Sequence, residues 1–119
     1  MLAAAAAVAA AGVEVATTTR VAVQGDSMRP ALAPGDCLLV SRVFGRLQIR
    51  PGRIVVVRHP VKPGFHLVKR VREVAGKQVW VEGDGPGSTD SRAFGPVGRG
   101  EILGTAWLRY WPAKGARLL

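Results

Sequence analysis

The chain has a single cysteine, Cys37, so no disulfide can form within it. Its two histidines, His59 and His66, stand apart from any Cys/His spacing of the kind that builds a metal site. No metal or other cofactor is expected. Acidic residues are few, 8 Asp and Glu against 17 Lys and Arg, which leaves a formal charge of +9. Such a charge suits nucleic acid or an anionic bilayer surface. The basic residues, however, are spread from Arg20 to Arg117 without a run, and no nucleic-acid-binding motif accompanies them, so a nucleic-acid partner is not expected. A long run of strongly apolar residues is also missing. Residues 1–16 are nearly uncharged, but they are mostly Ala, contain Gly12 and Glu14, and fall short of the roughly 20 apolar residues of a spanning helix. No basic stretch precedes them, which argues against a cleaved signal peptide. The expectation is a weak or truncated membrane anchor in residues 1–16, followed by one small domain over residues 17–119.

What is present reads as mostly β. Thr19 to Val23, Leu67 to Val74 and Val79 to Glu82 alternate apolar with polar, whereas Cys37 to Val43 and Ile54 to Val57 are apolar runs bounded by Gly or Pro. Ala75-Gly76-Lys77 predicts a hairpin joining the strand of Lys69 to the strand of Trp80. Ala106 to Pro112 predicts a last strand that closes the core, with Trp107, Tyr110 and Trp111 packed inward. Cys37 is expected to be a small buried hydrophobe.

Two short motifs carry the chemistry. Ser27 lies in Gly25-Asp26-Ser27-Met28-Arg29-Pro30, at the end of a strand and the start of a turn. Lys69 lies in His66-Leu67-Val68-Lys69-Arg70-Val71, where alternation turns its ammonium to the side of Leu67 and Val71, into the core. A Lys placed there has a depressed pKa. A serine hydroxyl is a poor nucleophile until its proton is removed, and a desolvated neutral amine can remove it without His or Asp. The bland reading is an ordinary turn serine and a solvated Lys-Arg face.

A third segment favours the chemical reading. Residues 83–97 form a loop dense in Gly and Pro that carries Ser88, Asp90, Ser91 and Arg92. In the same order along almost the whole chain, the segments resemble the boxes of the signal peptidase I family of serine endopeptidases. Ser27-Met28 with Pro30, Leu32, Gly35 and Asp36 resembles the nucleophile box, and Pro51-Gly52 with Ile54-Val55-Val56 the strand after it. Lys69-Arg70-Val71 resembles the base box, and Gly83-Asp84, Ser88, Asp90-Ser91-Arg92, Gly95 and Val97 the closing box.

The resemblance implies a compact, coiled β-sheet domain of the signal peptidase and LexA-like catalytic type. It implies Ser27 as nucleophile and oxyanion donor, Lys69 as general base, Ser88 holding the Lys69 amine toward Ser27, and Asp90 with Arg92 as a supporting ion pair. Met28 and Leu32 would line the substrate groove, although core packing accounts for Leu32 equally well. The substrate would be a precursor protein that loses an N-terminal signal or propeptide segment, and the oligomeric state is left open. Membrane-bound members carry an anchor just before the serine box. A soluble, cytoplasmic alternative is the short subgroup that matures nickel-type superoxide dismutase.

Three positions depart from the family pattern. Gly25 stands where some bacterial members carry a Ser that completes the oxyanion hole, Gly85 replaces a common Asn, and Arg53 a common Asp. Each is expected to lose a polar anchor. LexA-type self-cleaving regulators share the Ser/Lys chemistry, but they lack the Ser88, Asp90-Ser91-Arg92 loop and would need a helix-turn-helix segment.

Overall fold

The computed structural model describes residues 18–42, 48–85 and 89–119. The expected anchor in residues 1–16 and the candidate Ser88 lie outside the described residues. Eight strands are described: β1 (Thr18–Ala22), β2 (Cys37–Ser41), β3 (Ile54–Arg58), β4 (His66–Ala75), β5 (Gln78–Glu82), β6 (Val97–Gly98), β7 (Ile102–Trp111) and β8 (Arg117–Leu118). One four-residue helix, α1 (Ser91–Phe94), sits between β5 and β6. Every pairing is antiparallel, in the order β1-β2-β7-β3-β4-β5-β6, and β8 is added to β7.

The centre of the sheet explains the unbroken apolar run of β3. Ile54 and Val56 join a core cluster with Val23, Met28, Leu32, Leu38, Val40 and Ala106. Val55 and Val57, on the opposite face, join Ile49, Val71, Val79, Val81, Val97 and Ile102. Both faces of β3 are therefore covered, which is the setting in which a strand reads as continuously apolar and not alternating. The sheet achieves this by coiling around β3, with the loop of Met28 and Leu32 over one face and β5 and β6 over the other.

The hairpin expected at residues 75–77 forms, with Ala75 opposite Gln78 and Gly76 at φ +61, a geometry that a two-residue loop requires and glycine adopts freely. The last long strand differs from the expectation. It starts at Ile102, not Ala106, and pairs with β2, β3 and β8. Gly104 hides this in the sequence because it breaks the apolar pattern. A Cβ there would lie 2.2 Å from the Ser41 carbonyl oxygen, so the crossing of β2 and β7 admits glycine alone. The aromatic residues are also placed differently. Trp107 and Tyr110 are half-buried and Trp111 is 57% exposed, because Trp111 pairs with Cys37 at the strand end, beyond both clusters. Cys37, at the same end, is half-buried.

Gly104→Ala is expected to destabilise the protein by about 1–3 kcal/mol or more, as overpacking does when backbone must move. Gly98→Ala meets nothing within 4 Å and should leave the urea midpoint almost unchanged. Equal midpoints for the two variants would show that β2 can yield at this crossing.

Candidate active site

Ser27 sits in a loop clamped at its base. Val23 N–H donates to the Asp36 carbonyl at 2.8 Å and Gly35 N–H donates to the Val23 carbonyl at 2.9 Å. Asp36 itself is buried, accepts from Ala33 N–H at 2.9 Å and pairs with Arg109 at 3.3 Å. Within the loop Gly25 turns the chain at φ +75, Arg29 N–H donates to the Asp26 carbonyl at 3.0 Å, and the Arg29 and Asp26 side chains form an ion pair. Met28 and Leu32 then drop into the core, each 1% exposed. They were expected to line the substrate groove. With no surface to offer, they serve as the plugs that hold the Ser27 turn against β3, and the groove assignment is corrected accordingly.

Lys69 lies on β4 opposite Val55 of β3 and is 2% exposed. The pairing of β4 with β5 begins one residue later, at Arg70 with Glu82. Lys69 thus has β3 on one side, and among the described residues no strand pairs with it on the other. Burial pushes its ammonium below the ordinary lysine value; the Asp90 charge pulls it back up and the Arg92 charge pushes it down again.

The closing loop supports both residues through charge and backbone. Asp90, 0% exposed, caps α1 by accepting from Arg92 N–H at 3.0 Å and also accepts from Gly83 N–H at 2.9 Å. The Arg92 guanidinium binds it with both Nε at 3.0 Å and Nη2 at 2.7 Å. Ser91, buried beside it, accepts from Val81 N–H at 2.8 Å. Three further residues carry positions that the sequence did not reveal. Arg70 clamps Asp84 with two bonds, at 2.9 and 2.8 Å, and donates to the Gly52 carbonyl at 2.8 Å, locking the strand of Lys69 to the closing loop. Gly85 N–H donates to the Ser27 carbonyl at 2.8 Å, and a Cβ at Gly85 would lie 2.9 Å from the Asp26 carbonyl oxygen. The expected loss of an anchor at Gly85 is in fact a backbone anchor, possible because glycine lets the two loops touch. Arg53, also expected to lose an anchor, donates to Gln48 at 3.0 Å and to the Leu119 carbonyl at 3.3 Å.

Ser27 and Lys69 line one cavity of about 360 Å³, walled by Val21, Ala22 and Gln24 on one side and Gly64 to Val68 on the other. Phe65, 62% exposed, stands at its rim. A hydroxyl and a desolvated amine on a shared, water-accessible wall are the parts of acyl transfer by a serine nucleophile.

Because Lys69 titrates lower in the folded chain than in the unfolded one, the unfolded chain takes up a proton first as pH falls from alkaline values. Stability drops through that window and then levels off below the folded value. Lys69→Met is therefore expected to raise the melting temperature near neutral pH, with the gain fading as pH approaches 10.5. A gain that is independent of pH would remove desolvation as its cause. Gly85→Ala should separate the closing loop from the Ser27 turn and lower kcat at least tenfold, on the order of one lost positioning hydrogen bond, with the fold retained by circular dichroism.

Comparison with known proteins agrees with this architecture. Residues 1–85 match the family described as signal peptidase, peptidase S26. Subunit 1 of the mitochondrial inner membrane protease of Xenopus tropicalis is 35% identical over 76% of this chain and 67% of its own length. The mitochondrial ATP-independent inner membrane protease subunit 1a of Arabidopsis thaliana is 34% identical over 77% of this chain and 70% of its own. Subunit 2 of the mitochondrial inner membrane protease of Danio rerio is 34% identical over 76% of this chain and 62% of its own. With a coiled antiparallel sheet presenting a serine and a buried lysine on one cavity, the chain belongs to the signal peptidase S26 family of serine-type peptidases.

Proposed function

We propose that the protein is a Ser/Lys endopeptidase that removes an N-terminal signal or propeptide segment from a precursor protein at a membrane. The observation that carries the chemistry is the burial of Lys69, 2% exposed, on the same cavity as Ser27, a burial that pushes its pKa down. In this reading the neutral Lys69 amine takes the proton of the Ser27 hydroxyl as its Oγ attacks the scissile carbonyl. The Ser27 N–H stabilises the oxyanion, a donor worth roughly 3–4 kcal/mol of barrier. Lys69 then returns the proton to the leaving amine, which departs and leaves an acyl-enzyme. Water, deprotonated by Lys69, attacks the ester and releases the carboxylate product while Ser27 is reprotonated. Ser88 would hold the Lys69 amine toward Ser27, and the Asp90–Arg92 pair would keep the closing loop in register.

The substrate backbone is proposed to enter as an added strand between two open edges, β1 on one side and His66 to Lys69 of β4 on the other. Residues 17–119 would form the one peptidase domain and residues 1–16 its membrane attachment. Among the described residues no helix is long and apolar enough to cross a membrane. The names of the relatives, inner membrane proteases, favour the membrane-bound reading over a soluble maturation protease for nickel-type superoxide dismutase.

Ser27→Ala is expected to abolish cleavage of a precursor peptide with the fold unchanged. Lys69→Arg should be equally inactive, since a guanidinium stays protonated and cannot serve as a base. In the wild type kcat/KM should rise with pH along a limb below the ordinary lysine value, because the neutral amine is the active form. Cleavage by Lys69→Arg, or a limb that disappears on replacing His59 or His66, would sink the dyad.

A further inference from the structure

The catalytic cavity has a neighbour. A second cavity of about 310 Å³ shares Val21 and His66 with it. Its floor is apolar, made of Val21 on β1, Val40 on β2, Leu103 on β7 and Val56 on β3, all on one face of four adjacent strands. Thr19, Arg42, Arg58 and His66 complete its wall. Among the described residues no carboxylate lines it. Four other arginines are held against acids, Arg29 with Asp26, Arg70 with Asp84, Arg92 with Asp90 and Arg109 with Asp36. Arg42 and Arg58 are exposed, and among the described residues neither has an ion-pair or hydrogen-bond partner. Two uncompensated guanidiniums over a low-dielectric floor concentrate positive potential there.

We infer that this cavity is a subsite for an acidic residue, Asp or Glu, of the precursor chain. The inference rests on the protease reading above. The methylenes of the acid would lie on the valine and leucine floor and its carboxylate between Arg42 and Arg58, where guanidinium forks match carboxylate geometry. The route is set by β1, which pairs with β2 alone among the described residues and leaves its outer edge open. Ala22 and Val21 line the catalytic cavity, Val21 and Thr19 the second. A peptide extended along that edge covers the step from Ala22 to Thr19 in about 10 Å, at roughly 3.3 Å per residue. The acid therefore belongs about three to six residues from the scissile bond. A residue-sized hollow, at the small end of ligand pockets, suits a side chain and not the flat surface of a bilayer.

The test uses internally quenched peptides that carry Glu or Gln at each position three to six residues on either side of the cut, at low ionic strength. At the best position the wild-type chain is expected to cleave the Glu peptide with about tenfold higher kcat/KM than its Gln counterpart, an advantage that shrinks with added salt. In Arg42→Gln/Arg58→Gln the ratio should fall to about one, and in Arg42→Glu/Arg58→Glu the preference should pass to a Lys peptide. Equal rates for Glu and Gln at every position, or a ratio that persists in the double variant, overturns the subsite. So does a double variant that loses only sedimentation onto phosphatidylserine vesicles, which would make the cavity a bilayer contact. If no peptide is cut in a Ser27-dependent way, the protease reading fails by itself. Fluorescence anisotropy of labelled Glu and Gln peptides on the wild-type chain then still decides, equal affinity counting against the subsite.

Discussion

In the proposed Ser27/Lys69 dyad everything depends on keeping one amine dry. A lysine loses its charge most readily where water cannot solvate it, yet a base must still reach its substrate. The structure meets both demands by placing Lys69 at a boundary in the sheet. β3 covers it from one side through the Val55 pairing, while β5 joins β4 only from Arg70 onward, so the other side opens on the cavity. One residue further along β4 the position would be closed by pairing on both sides. Two residues earlier the side chain would be half-exposed, as Leu67 is.

Electrostatics could undo this arrangement, because a buried carboxylate near an amine favours the ammonium. Asp90 does pull the Lys69 pKa upward. Its charge is already engaged by the Gly83 and Arg92 N–H groups and by two bonds from the Arg92 guanidinium, and Arg92 opposes it at Lys69 directly. Desolvation therefore remains the largest influence. The ion pair of Asp90 and Arg92 can be read as a way to staple the closing loop with a buried acid without returning the proton to the lysine. Arg70 does the same outside, where its fork holds Asp84 and the alternation of β4 points it away from Lys69.

Much of this was legible in the sequence, and the gaps have physical causes. The alternation of β4 placed Lys69 and Val71 in the core, and the continuous run of β3 marked a strand that proved to be covered on both faces. The serine turn was visible from its Gly and Pro punctuation. Met28 and Leu32 were misplaced because an apolar residue beside a nucleophile has the same letter whether it faces a peptide or the core; their burial became visible only with the coil of the sheet. The early start of β7 was hidden by Gly104, a residue that usually argues against a strand interior and here marks a close approach of backbones. The Arg70–Asp84 clamp and the bond from Gly85 to Ser27 join residues distant in the sequence, and no local pattern encodes them.

The glycines at positions 25 and 85 illustrate how a chain of 119 residues positions a site with little material. A side-chain anchor needs a residue long enough to span a gap, and it loses rotamer freedom on binding. A backbone anchor needs the gap removed instead. Gly85 removes it, bringing its own N–H within 2.8 Å of the Ser27 carbonyl, and Gly25, at φ +75, supplies the turn that presents Ser27 to the cavity. The two loops then behave as one backbone layer pinned from beneath by Met28 and Leu32 and from outside by Arg70. The positive charge of Arg42 and Arg58 lies exposed on the neighbouring cavity, where the proposed acidic subsite would use it.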